Sequence, residues 1–106
     1  MTGKKLYLQP RAMVLNAIHD LAGLQKAKTL MSDSPNGIVR LMVAVYEKKW
    51  EYKFTVRDIT GSRSEVFIEL TGEEPDKKRL IDHEFALLDY VLTDHAKIIE
   101  SKNKTK

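Results

Sequence analysis

The chain contains no cysteine. Disulfides, thiolate metal sites and thiol catalysis are therefore excluded. Glycine is scarce, at five residues in 106, and no glycine-rich phosphate-binding loop can be assembled from those five. No run of 18 apolar residues occurs, so no membrane-spanning helix is expected. Residues 1–10 carry charge but no apolar stretch of signal-peptide length. Histidine is represented only by His19, His83 and His95. No two of these have i,i+4 spacing and no HExxH occurs, whereas zinc needs three or four converging ligands. The serines Ser32, Ser34, Ser62, Ser64 and Ser101 fall in loops, in the tail or beside a turn, none of them within GxSxG or SxxK. These absences lead to the expectation of a cytoplasmic chain with no catalytic residue, no metal and no cofactor.

The net charge is +3, which invites a nucleic-acid reading. Five of the cations, Lys4, Lys5, Lys102, Lys104 and Lys106, stand near the ends of the chain. Setting them aside leaves thirteen basic residues against fifteen acidic ones, a body of about −2. Charge confined to tails is weak support for a nucleic-acid surface. Residues 1–5 are expected to be a disordered arm and residues 101–106 a disordered basic tail, flanking one domain over residues 6–100.

What the chain does have is alternation. From Trp50 to Arg57 every even residue is apolar and every odd one polar, the pattern of a strand with one buried and one wet face. A second such run covers residues 65–70. Pairing the two so that residue numbers sum to 122 sets Val56 against Val66, Phe54 against Ile68 and Tyr52 against Leu70. The same pairing sets Arg57 against Glu65 and Lys53 against Glu69. Apolar pairs inside and opposite charges outside each contribute about 0.2–1 kcal/mol, and a one-residue slip would ruin both faces. Thr60-Gly61-Ser62 then forms a three-residue loop in which Gly61 is free to take positive φ. The run of residues 38–46 is expected to pair at a sum of 95, with Val45 opposite Trp50, Val43 opposite Tyr52 and Leu41 opposite Phe54, leaving Glu47-Lys48 as the turn.

Two amphipathic helices frame these strands. The first is expected to start near Pro10, where a missing N–H costs little, with Met13, Ala17, Leu21, Leu24 and Met31 on one stripe. Gly23 stands either inside that helix or at a break between it and a second short one. Residues 32–37 read as a loop, and Leu6-Tyr7-Leu8 as a short edge strand. The last helix is expected over residues 75–99. One of its stripes holds Ile81, Phe85, Leu88, Leu92 and Ile99, and an adjacent one holds Leu80, Leu87, Val91 and Ile98. Together they are wider than the face that a surface helix usually buries, so the helix should cover the sheet and also meet either the first helix or a second copy of the chain. The fold class is α+β, (β)-α-β-β-β-α, an antiparallel sheet of three to four strands with two helices on one face.

On these residues the leading expectation is a non-catalytic domain acting through protein–protein contact or as a homodimer. The surfaces would be the outer sheet face with Met42, Ala44 and Phe67, and the surplus stripe of Leu80, Leu87, Val91 and Ile98. A second reading is RNA or DNA binding through Lys77, Lys78, Arg79 and the lysine-rich tails. The helix–three strands–helix order resembles that of double-stranded-RNA-binding domains, which also place lysines at the start of their last helix. Their lysine–lysine–x–alanine–lysine pattern is matched at Lys77 and Lys78, while Leu80 and Ile81 depart from it. The βαβββα order is also similar to that of ribosome-hibernation factors, with no residue motif to accompany it. A third reading is a small-ligand pocket between helices and sheet, lined by Trp50, Tyr52 and Phe85.

Overall fold

The computed structural model describes the backbone of residues 2–45, 48–72 and 77–104, and the side chains of residues 3–44, 48–72 and 77–93. The element order is β1 (Thr2–Tyr7), α1 (Arg11–Leu24), β2 (Lys28–Asp33), β3 (Ile38–Val45), β4 (Lys48–Thr60), β5 (Arg63–Thr71) and α2 (Lys77–Lys104). The five strands form one antiparallel sheet in the order β1-β5-β4-β3-β2. The fold is α+β, with one strand more than the sequence suggested.

Alternation decides the centre of the sheet. β4 and β5 pair in the expected register: Val56 faces Val66, Phe54 faces Ile68, Tyr52 faces Leu70, Arg57 faces Glu65 and Lys53 faces Glu69. The loop end differs. The register shifts between Asp58 and Thr60, and Thr60 pairs with Arg63. The bulge at Ile59 thus shortens the connection to Gly61-Ser62 and leaves Gly61 outside the positive-φ glycines, which are Gly37 and Gly72. β3 pairs with β4 two residues away from the expected register, with Val43 opposite Trp50, Leu41 opposite Tyr52 and Val39 opposite Phe54. A shift of two keeps every side chain on its face, and this one brings Arg40 within ion-pair reach of Glu51 on the outer side. Lys48, expected in the turn, is the first residue of β4 and faces Val45. Tyr46 and Glu47 lie outside the described residues.

The first helix is shorter than its apolar stripe implies. Pro10 caps it in extended backbone (φ −68°, ψ 156°), and Val14, Leu15, Ala17, Ile18, Leu21 and Ala22 are buried. Gly23 neither interrupts it nor caps it. The stop comes at Lys26, whose φ of 52° is in the left-handed region. There Lys26 N–H donates to Gly23 O at 3.2 Å and Ala27 N–H donates to Ala22 O at 2.9 Å, the paired bonds of a Schellman end. The chain reverses into β2, so the expected helical positions 28–31 are part of an edge strand instead. Leu24, Leu30 and Met31 are accordingly exposed.

The ends of the described chain also depart from expectation. Residues 2–5, expected as a free arm, open β1 and pair with β5, from Thr2 opposite Glu69 to Lys5 opposite Val66. Gly3 makes this possible. A Cβ there would stand 2.5 Å from Ile81 Cγ2 and 2.8 Å from Phe85 Cε2, so only glycine lets β1 lie this close under α2. The backbone of residues 101–104, expected as part of a disordered tail, continues α2. Ile98, Ile99 and the histidine at 95 have side chains outside the described set.

The core lies between the sheet and the two helices. β3 contributes Val39, Leu41 and Val43, β4 contributes Tyr52, Phe54 and Val56, and β5 contributes Val66, Ile68 and Leu70. From α2, Ile81, Phe85, Leu88 and Leu92 are buried, and so are Leu80 and Val91 on the adjacent stripe. Leu87 packs against the same core. Among the described residues no helix is long and apolar enough to cross a membrane.

Candidate functional site

One carboxyl group breaks the apolar interior. On α2, Leu80, Glu84, Leu87 and Val91 follow one another at spacings of four, three and four, so they share a face. Glu84 is completely buried. The Gln25 amide, from the C-terminal cap of α1, reaches it: Gln25 Nε2 donates to Glu84 Oε1 at 2.9 Å. This face of α2 therefore looks toward the end of α1. The other carboxyl oxygen, Oε2, has no hydrogen-bond partner among the described residues. Burial disfavours the charged form and pushes the Glu84 carboxyl up to about 7, against the smaller lowering effect of the Gln25 hydrogen bond.

Tyr52 enters the same core from β4. Its position in the alternating run sends it inward, opposite Leu41 on one side and Leu70 on the other. The side chain is completely buried, and its hydroxyl likewise has no partner among the described residues. Burial raises the phenol well above its ordinary range, and the nearby Glu84 charge raises it further. Phe54, two residues on, holds its ring 6.4 Å from that of Tyr52, tilted by 42°. An unsatisfied buried polar group costs about 1–3 kcal/mol. Two of them in one mostly apolar core, coupled by the Glu84 charge acting on the Tyr52 phenol, are a candidate site for a ligand carrying hydrogen-bonding atoms.

A second polar cluster lies where β1 meets α2. Lys5 forms an ion pair with Asp89, and its Nζ stands 5.6 Å from the centre of the Tyr7 ring. The buried Tyr7 hydroxyl lies beside Asp89; burial first and that carboxylate second hold the phenol in its neutral form. Alongside runs an open groove of about 530 Å³ floored by Gly3, Ile81, Phe85 and Ala86, with Lys78 on its rim.

The residues singled out from sequence are scattered. Phe67 and Met42 are half-buried and Ala44 is exposed on the outer sheet face. Phe67 sits between Lys4 and Thr55, and Met42 sits opposite Glu51. The Arg40–Glu51 and Lys53–Glu69 ion pairs occupy the same face, so the three make no shared apolar patch. Leu80 and Val91 are core residues, Leu87 packs on the core, and Ile98 lies outside the described side chains. Lys77 is half-buried, and Lys78 and Arg79 are exposed. Lys4 and Lys5, read as tail cations, belong to β1, where acidic partners on β5 and α2 meet them. Of the proposed pocket residues, Tyr52 and Phe85 are buried and Trp50 is half-buried against the core. His19 is exposed with its Nε2 3.3 Å from Ser32 Oγ. Among the described residues no three histidine or acidic side chains converge as a metal site.

Gln25 and Glu84 escaped the sequence reading. Glu84 looked like a neighbour of His83, and the signal was its place within the apolar stripe: a carboxylate at i+4 from Leu80 and i−3 from Leu87.

No protein-family model matches the sequence, and no curated protein matches it. Solved structures match its fold. A START superfamily protein from Mycobacterium smegmatis superposes with a TM-score of 0.53 at 10% identity, over 93% of this chain and 97% of that one. The fold is START-like. A second START-like match is the di-domain ARO/CYC StfQ from the steffimycin biosynthetic pathway, with a TM-score of 0.50 at 17% identity over 97% of this chain. The chain spans about half the length of StfQ, 47% of it. At such identities the likeness is one of fold. It corrects the protein-contact reading: the START-like neighbours are a START superfamily protein and a biosynthetic ARO/CYC. Of the α2 stripe that carried that reading, Leu80 and Val91 are buried inside the chain.

Proposed function

We propose that this chain is a small-ligand-binding domain. Its ligand is a largely apolar molecule with a hydrogen-bonding group, taken up between α2, the end of α1 and the inner face of β4. The observation that carries this reading is the pair of buried atoms, Glu84 Oε2 and Tyr52 Oη, that have no partner among the described residues. A ligand group placed between them supplies what the chain does not. The START-like fold supports the reading, since StfQ belongs to a biosynthetic pathway and so to small-molecule chemistry. The absence of cysteine fits a cytoplasmic location for the domain.

Titration of the full chain with 2-naphthol, followed by NMR, tests this. The expected outcome is a saturable shift of the Tyr52, Gln25 and Glu84 signals, with Tyr52→Phe weakening binding by about fivefold to tenfold through loss of one hydrogen bond. Shifts confined to the β1–α2 groove, or no shift at millimolar probe, would overturn it.

A further inference from the structure

The interior holds, among the described residues, a buried carboxyl group and no buried cation to balance it. Among the described residues the buried polar or charged side chains are Ser64 and Glu84. Ser64 is spent locally, its Oγ donating to Gln9 O at 3.0 Å. The Gln25 amide from α1 bonds to Glu84, and the Glu84 charge acts on the Tyr52 phenol from β4. No lysine, arginine or histidine among the described residues is buried with them. Gln25 is a donor already committed to Oε1. What is left, once the carboxyl is ionised, is an acceptor, Oε2, and a phenol oxygen able to accept as well as donate.

We propose that the ligand of this interior is an apolar amine, held as the ammonium by an ion pair to Glu84 Oε2 and a hydrogen bond to Tyr52 Oη. This rests on the ligand-binding reading above and gives it a chemical class. Three arguments converge on it. Once Glu84 is ionised, a carboxylate or phosphate ligand would meet it as a like charge with no buried cation among the described residues to hold it. With Glu84 ionised, a neutral alcohol satisfies one lone pair and leaves a buried negative charge uncompensated. An ammonium brings both the opposite charge and up to three N–H donors, enough for Oε2 and Tyr52 together. The rings of Tyr52 and Phe54, both on the inner face of β4, add the electron-rich surfaces that favour a cation in a dry site.

The interaction is linked to protons. Below about pH 7 the Glu84 carboxyl holds its proton, which the incoming ammonium must displace into solvent. Amine affinity therefore rises with pH, by up to about tenfold per unit, until the carboxyl is ionised, and then levels off.

The test uses three probes of one shape on the full chain: 2-naphthylmethylamine, 2-naphthylmethanol and 2-naphthoate, titrated by calorimetry and NMR at pH 5, 6.5 and 8. The amine is expected to bind at least tenfold more tightly than the alcohol at pH 8, to lose that advantage by pH 5, and to outrank the naphthoate at pH 8. Glu84→Gln should abolish the advantage of the amine. If this variant does not fold, the pH series on the unaltered chain decides. An alcohol as tight as the amine at pH 8, or a naphthoate tighter than both, overturns the amine proposal and leaves a ligand-binding interior. If none of the three moves the Tyr52 or Gln25 signals, the ligand-binding reading falls and the amine proposal falls with it.

Discussion

The two faces of β4 treat charge in opposite ways. Outside, Glu51 has Arg40 and Lys53 has Glu69, all within reach of water. Inside, Tyr52, Phe54 and Val56 look onto a core in which, among the described residues, one carboxyl group, Glu84, is buried with no buried cation. An exposed ion pair is worth roughly 0–1 kcal/mol and says little about function, since almost any paired sequence would serve. A buried carboxyl group is costly to keep, and that cost is what makes it informative. The number of charges on each face teaches less than whether the fold has answered each of them.

The comparison can be tested directly. Phe54→Ala, on the inner face, should cost about 3–5 kcal/mol in urea denaturation; a loss under about 1 kcal/mol would mean that the inner face is not close-packed. The next effect is that of Glu84. Its folded pKa of about 7 lies above the ordinary 4.5, so the folded state keeps a proton that the unfolded chain has released. This contribution is present in full below about pH 4.5, is lost as pH rises toward 7, and amounts to about 3 kcal/mol at roughly 1.4 kcal/mol per unit. Stability curves of the unaltered chain and of Glu84→Gln should therefore diverge between pH 4.5 and 7, the variant gaining on the alkaline side. Parallel curves would place the carboxyl in water. Smallest is Lys53→Ala on the outer face, with an expected cost below about 1 kcal/mol. A larger loss would show that the outer ion pairs act as a network.

Legibility in the sequence followed the same division. The β4–β5 register could be written down because burial on one face and charge on the other both demand it, and each apolar pair agrees with each ion pair. β2 could not, because Lys28–Asp33 is an edge strand with hardly a buried residue. It therefore carries no alternation, and Leu24 and Met31 happened to extend a helical spacing. The helix end was hidden as well, since the left-handed position falls to Lys26, while the nearby glycine, Gly23, stands within the helix. Of the candidate site, Tyr52 was readable as an inward residue. Glu84 was not read, because a single acidic residue within an apolar stripe looks like an ordinary surface charge until the partner helix is in place. Gln25 gave no signal, since its role depends on where the reversal at Lys26 aims it.

The pairing of β1 with β5 also governs the order of assembly. Thr2–Tyr7 is synthesised well before its partners, which begin at Ser64. Until that stretch has emerged from the ribosome, the opening segment has no strand to dock against and must wait with its backbone amides unclaimed. Adjacent lysines at positions 4 and 5 discourage stray pairing during that interval, so side chains that later take up acidic partners serve first to keep the waiting segment solvated.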